Sequence, residues 1–273
     1  MAEEDPFKSF VLGETLVGTF DILGATALYA ENDAEKCRSM TSFIVNTMSD
    51  AIKGTTTELK NHYNELSDKG SRLERLIGNT SSYAYADTVV LICDVSNFNE
   101  IMLRFACEYF LVLAIEFTQK MFTAGIPIRG CLSKGITARC ARENMVVVSG
   151  KAYVETLKTA DALEFSGTVL ADEFYKVVEE GCKIIDYPPM EYLLQLPCVV
   201  KDKDRKFVTK KLWCLDWLTD TDFLPGSSDI RQLIFESFAG HGKQVCGTVL
   251  DKVNNTETII RLMIAHRSER LKR

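Results

Sequence analysis

The run Phe20-Asp21-Ile22-Leu23-Gly24 ends an apolar stretch that begins at Leu16, and the carboxylate inside it limits what the chain can become. Residues 16–22 read as a strand. An ionised carboxylate within such a strand is costly unless a cation or hydrogen-bond donors compensate it. Asp21 therefore belongs at a strand end, beside positive charge. A second stretch, Ser82-Tyr83-Ala84-Tyr85-Ala86-Asp87-Thr88-Val89-Val90-Leu91-Ile92-Cys93, is rich in β-branched and aromatic residues on both sides of its own aspartate. It reads as a hairpin with Asp87 at or beside the turn. Two carboxylates at strand ends suit Mg²⁺ or Mn²⁺, hard ions that share a few carboxylates with substrate phosphates. The plainer alternatives are a capping or turn carboxylate for Asp21 and an ordinary hairpin-turn residue for Asp87.

Composition narrows the classes. With 273 residues, 46% hydrophobic and 26% charged, the chain suits one good-sized domain or a domain with an appendage. It has no apolar run of about 18 residues, so no membrane helix is expected. The acidic start Met1-Ala2-Glu3-Glu4-Asp5 lacks a signal-peptide pattern, and a cytoplasmic protein is expected. The nine cysteines are scattered and form no C-x-x-C pair, as reduced core thiols would be. His62, His241 and His266 have no zinc-ligand spacing. A net charge of −6 disfavours a nucleic-acid coat, yet leaves room for a nucleotide pocket with local cations.

In chain order, residues 1–14 read as an irregular lead-in. A helix is predicted over about 32–52, capped by Asn32 or Asp33, with Met40, Phe43, Ile44, Thr47, Met48 and Ile52 on its core face. Residues 54–78 extend that helix or form a loop. After the hairpin a long helix, apolar nearly all round, covers about 98–122 and stops at Gly125. A strand over 126–135 carries Arg129. Then come a strand over 145–148, a helix over 151–164, a strand over 168–171 and a short helix from Asp172 to Glu180. Residues 193–217 read as a hairpin whose charged tip, from Lys201 to Lys206, is a solvated turn. Two helices follow Pro225-Gly226, broken near Gly240-His241-Gly242, with a basic finish from Arg267 of the kind found at a solvated helix end. The order β-α-β-β-α-β-β-α-β, with its second and third strands a hairpin, excludes a simple doubly wound sheet. It favours an α+β layer: a mixed or antiparallel sheet with helices on one face.

These residues bear a resemblance to a known family, the class III nucleotidyl cyclases. Phe20-Asp21-Ile22-Leu23-Gly24 is similar to that family's F-x-D-I-x-G-F stretch, and Ala86-Asp87 falls where it has a Gly-Asp hairpin. Arg129-Gly130-Cys131-Leu132-Ser133-Lys134-Gly135 looks like its R-x-G-x-x-x-G strand. Gly125-Ile126-Pro127-Ile128-Arg129-Gly130, Gly150-Lys151-Ala152-Tyr153-Val154-Glu155-Thr156 and Phe165-Ser166-Gly167-Thr168-Val169-Leu170 resemble a divergent bacterial branch. That branch includes the pyrimidine cyclases of Pycsar antiphage defence. The likeness covers roughly residues 15–215 and divides the chain into a lead-in (1–14), a catalytic domain (15–217) and a helical C-terminal extension (218–273).

The resemblance implies a ferredoxin-like βαββαβ core and a homodimer with composite sites. It implies two divalent ions, Mg²⁺ or Mn²⁺, held by Asp21, Asp87 and the carbonyl of Ile22. One nucleoside triphosphate would be cyclised, with Arg129 as a cation for its phosphates; a structural ion pair is the alternative for Arg129. Lys201 is a further phosphate candidate. In purine cyclases of this class a lysine stands where this chain has Tyr83, and a polar residue where it has Val147; the usual transition-state Asn and Arg fall at Val154 and Lys158. Neither Tyr83 nor Val147 reads a purine edge, and Lys158 keeps a charge without a planar fork. The expected substrate is therefore a pyrimidine nucleotide, UTP first and CTP second, with Tyr83 and Lys158 at the substrate. The cyclic product would be a defence signal read by a separate effector. The alternatives are a purine cyclase making cyclic AMP or GMP and an inactive cyclase-like nucleotide-binding module.

Overall fold

The computed structural model describes residues 10–25, 34–63, 69–85, 87–142, 145–182, 191–218 and 230–270. Residues 1–9, the expected cap at Asn32 or Asp33, Ala86 and the Pro225-Gly226 break lie outside the described residues.

The first strand, β1, is longer than its apolar run and covers Phe10–Ile22. Residues 10–14, expected to be irregular, are strand because they pair with a partner of matching length. That partner is β4 (Ile128–Arg142), itself longer than predicted, and the ladder runs antiparallel from Phe10↔Cys140 to Ile22↔Ile128. On its other side β1 pairs antiparallel with β3 (Thr88–Asp94), which forms the expected hairpin with β2 (Thr80–Tyr85). Three helices complete this half, α1 (Ala34–Tyr63), α2 (Lys69–Gly78) and α3 (Glu100–Thr123). The β1-α1-β2-β3-α3-β4 order with neighbours β2-β3-β1-β4 is the ferredoxin-like arrangement expected.

The rest of the sheet grows from the free edge of β4. Its outer half pairs with β5 (Met145–Gly150), antiparallel, and its inner half with β6 (Gly167–Leu170), parallel. Between β5 and β6 lies α4 (Lys151–Ala162), and after β6 comes α5 (Asp172–Cys182). The hairpin of β7 (Leu193–Lys201) and β8 (Phe207–Leu215) adds the far edge. The eight-stranded sheet is mixed, as expected of an α+β chain.

Side chains alternate along β1. Leu16, Phe20 and Ile22 join the core under α1 and α3, where Phe20 meets Phe117 edge-on at 5.1 Å. Gly130 opposite leaves room for that ring: a Cβ there would stand 2.6 Å from Phe20 Cδ1. Val17 turns to the other face, against Val90, Ile92 and Ala152 of α4. Helices on one face only were expected, and α4 corrects this. Val17 and its neighbours are as apolar as the opposite row, so both faces need cover.

The C-terminal helices α6 (Ile230–Ala239) and α7 (Thr248–Arg270) pack on the β7–β8 side. Ile234, Phe238, Val253, Ile259, Ile260 and Met263 share one apolar cluster with Trp217, Phe122, Leu163 and Val200. They also cap α3. A helix leaves its last carbonyls without intrahelical donors. Here Ser237 Oγ donates to Phe122 O (2.7 Å), His241 Nε2 bonds Ala124 O (3.0 Å) and Lys243 Nζ donates to Gly125 O (3.1 Å). Arg267, read as part of a solvated finish, instead grips the buried Asp216 with Nε and Nη2, each at 2.8 Å, and donates from Nη1 to Leu218 O. No helix among the described residues is long and apolar enough to cross a membrane. Burial pushes the Cys93 and Cys131 thiols up to about 12.

Candidate active site

Asp21 is the penultimate residue of β1, on the face opposite Phe20. Its register neighbours are Thr88 on β3 and Arg129 on β4. Asp87 immediately precedes β3, and its carbonyl accepts the Ile22 N–H at 2.9 Å. The two carboxylates, 66 positions apart in sequence (87 − 21), thus flank one strand end.

Arg129 reaches across the ladder. Its Nε donates to Asp21 Oδ2 at 2.7 Å, and its Nη2 to Asp161 Oδ1 at 2.8 Å. Nη1 donates to the carbonyls of Asp161 (2.5 Å) and Leu163 (3.2 Å). The Arg129 side chain is 11% exposed and that of Asp161 is 79% exposed. The structural ion pair weighed for Arg129 is thus present. Its two ends differ, because a contact to so exposed a carboxylate holds at most about 1 kcal/mol.

Burial raises the Asp21 carboxyl above its ordinary value; Arg129 opposes the rise and the charges of Asp87 and Asp161 add to it. One arginine under-compensates this carboxylate, and a further cation beside it would relieve the imbalance. The residues expected to hold a metal, Asp21, Asp87 and Ile22 through its carbonyl, would offer only oxygen, the donor that hard divalent ions take. No cluster of three or more His, Cys, Asp or Glu side chains fit for a metal occurs among the described residues. The set therefore suits an ion that draws its other ligands from substrate phosphate and water.

Lys201, at the end of β7, pairs with Glu164 Oε1 at 2.7 Å, and the Glu164 side chain is 1% exposed. The remaining charged tip is the expected turn, closed by Asp202 Oδ1 accepting from the Asp204 and Lys206 N–H groups. Tyr83 lies on the sheet face that carries Val17, but its hydroxyl accepts from Arg139 Nη1 at 3.2 Å. The fold does not bring it to Asp21 within one chain. Lys158 sits one turn before Asp161 on α4 and makes no ion pair among the described residues. Val147 and Val154 are exposed.

Three charged residues of this region were absent from the sequence reading: Asp161, Glu164 and Lys252. Glu164 carried a signal, a carboxylate between Leu163 and Phe165. Lys252 carried none, because it sits on α7, 88 positions beyond the residue it neighbours (252 − 164). Burial pulls its ammonium below the ordinary lysine value; Glu164 opposes this, and Arg129 and Lys201 reinforce it.

No protein-family profile and no curated protein matches the chain. Among solved structures it is similar to the adenylyl cyclase CyaB from P. aeruginosa, at 15% identity over 76% of this chain and 95% of that one, TM-score 0.43. It is similar to the guanylate cyclase domain of RhGC from Catenaria anguillulae in complex with GTP, at 8% identity over 75% and 97%, TM-score 0.42. The guanylyl cyclase Cya2 gives 9% identity over 76% and 93%, TM-score 0.42. Likeness at this level transfers neither reaction nor residues to this chain.

Proposed function

We propose that the chain is a nucleotidyl cyclase of class III type that converts a pyrimidine nucleoside triphosphate, UTP first and CTP second, to its 3′,5′-cyclic monophosphate. The observation that carries this is the convergence of Asp21 and Asp87 at one strand end with Arg129 as register neighbour. Mg²⁺ or Mn²⁺, held by Asp21, Asp87 and the Ile22 carbonyl, supplies charge neutralisation and a more acidic ribose hydroxyl when bound. Arg129 fixes the Asp21 carboxylate in place through Nε. Its Nη2 exchanges the exposed Asp161 carboxylate for a phosphate oxygen, a substitution that the weak hold of Asp161 permits. Lys201 supplies a second cation. The 3′-oxygen bonds the α-phosphorus as the bond to the leaving phosphate breaks, and pyrophosphate departs. Tyr83, with no purine-reading polar group, suits the smaller base. The product would act in the cytoplasm as an antiphage signal read by a separate effector.

The active form in this reading is a homodimer, with Tyr83 and the Lys158 face of α4 supplied by the second protomer. Leu12, Ile136 and Val147 support it: they are 65%, 60% and 54% exposed. Register puts all three on one face of the β1–β4–β5 extension, since Leu12 opposes Ala138 and Val147 opposes Cys140. Ile136→Asp is expected to turn the dimer into monomer in light-scattering chromatography without unfolding it. An unchanged dimer would remove this face from the interface.

A second reading has its own observation. Arg129 already pairs with Asp21 at 2.7 Å, as it would in a cyclase-like module that binds nucleotide without turning it over. The two separate when purified protein is incubated with ATP, GTP, CTP and UTP individually, with Mn²⁺, and the products are identified by mass spectrometry. A cyclic pyrimidine nucleotide is expected. A cyclic purine would keep the cyclase and reject the reading of Tyr83 and Val147. No product from a folded dimer would favour the module.

A further inference from the structure

The C-terminal helix reaches the phosphate side of the site. Asn255 Nδ2 donates to Glu164 O at 2.9 Å, and the Ser166 N–H donates to Thr256 Oγ1 at 2.8 Å. Thr256 Oγ1 in turn donates to Lys252 O at 2.7 Å. These bonds pin residues 252–256 to the segment 163–166. That same segment supplies the Leu163 carbonyl to Arg129 and the Glu164 carboxylate to Lys201. Lys252 is half-buried there, and its electrostatic neighbours are Glu164, Arg129, Lys201 and Asp21. Among the described residues its ammonium has no ion-pair partner within reach, whereas Lys201 has one and Arg129 two. Three cations from β4, β7 and α7 therefore lie around the segment 163–166, and of these Lys252 alone has no ion-pair partner among the described residues. Such crowding of like charge is unfavourable until an anion with several oxygens arrives.

We propose that Lys252 is a polyphosphate-binding residue, the third cation of a cradle completed by Arg129 and Lys201. This rests on the cyclase reading for its substrate, a nucleoside triphosphate, but not for its geometry. Glu164 is the counter-ion that holds Lys201 in the cradle. Being almost wholly buried, it stays behind when the ligand binds. The exposed Asp161 is the carboxylate that leaves.

The test is calorimetric binding of inorganic tripolyphosphate to the full chain, wild type against Lys252→Met, Lys252→Arg and Lys203→Met. Lys203 is an exposed lysine at the β7–β8 tip and controls for net charge. Loss of one charge-assisted contact is expected to weaken binding about tenfold or more in Lys252→Met. Lys252→Arg should recover most of it, and Lys203→Met should match the wild type. Should Lys252→Met unfold, Lys252→Gln replaces it, which retains a polar tip on a shorter stem. Equal affinity in wild type and the folded Lys252 variants would overturn the proposal. So would a wild type that cyclises a nucleotide yet does not bind tripolyphosphate. Weakened binding in a protein that turns over no nucleotide would uphold the cradle and reject the cyclase.

Discussion

Asp21→Asn should be more heat-stable than the wild type in EDTA at neutral pH, and nearly inactive. The sign follows from the raised carboxyl of Asp21 in the folded chain. A group that binds its proton more tightly folded than unfolded favours the folded state at low pH. That advantage is lost as pH rises from the ordinary carboxyl value of 3.8 through the raised one. At neutral pH the ionised, half-buried Asp21 therefore costs stability, and the amide removes the cost while keeping an oxygen for Arg129 Nε. Thermal melts taken upward from pH 4 should show the gap widening as Asp21 ionises. Added Mn²⁺ should reverse the order, raising the midpoint of the wild type and leaving Asp21→Asn unmoved, since only a ligand that binds the folded chain stabilises it. Turnover should fall roughly 10³-fold or more, about 4 kcal/mol of transition-state stabilisation. A variant that melts lower in EDTA and still responds to Mn²⁺ would sink both the burial argument and the metal assignment.

The second large effect lies away from the site. Asp216→Ala leaves the Arg267 guanidinium without the carboxylate that takes two of its donors. Removing one partner of a buried pair costs about 3–5 kcal/mol, because the other charge stays uncompensated. Urea denaturation should show the midpoint falling with little change in slope. The double variant Asp216→Leu with Arg267→Met should recover much of the loss, because the apolar pair leaves no charge behind. A drop below 1 kcal/mol in Asp216→Ala would mean that solvent already screens the pair.

The parts of the fold legible in the sequence were those whose signal is local. The β2–β3 hairpin and β1 announce themselves by β-branched runs, and α3 by an apolar surface on every side. The turn after Lys201 is written in its charges. The strand character of residues 10–14 was not legible, since Gly13 and Glu14 carry no strand pattern and only the long ladder with β4 makes them strand. The helix at 54–63 is polar and is held by continuity with the apolar half of α1. The site divides the same way. Asp21, Asp87 and Arg129 stand out because each interrupts an apolar or strand-like run. The partners beside them do not, because Arg129 meets Asp161 and Glu164 meets Lys201 through tertiary contacts that no window of sequence contains. Arg267 is the sharpest case, a residue that reads as solvated charge and anchors the buried Asp216.

The capping of α3 by the tail has a consequence for synthesis. Gly125 receives Lys243, and two residues on, the Pro127 carbonyl receives the Leu23 N–H, just past the strand end that bears Asp21. The strand end that bears Asp21 is thus seated on a corner that is not closed until a residue 220 positions further along the chain (243 − 23) reaches it. Contacts of such long sequence separation form late and slowly. A nascent chain that already holds Asp21, Asp87 and Arg129 would still lack the lysine that closes this corner, so the corner matures only after residue 243 has emerged.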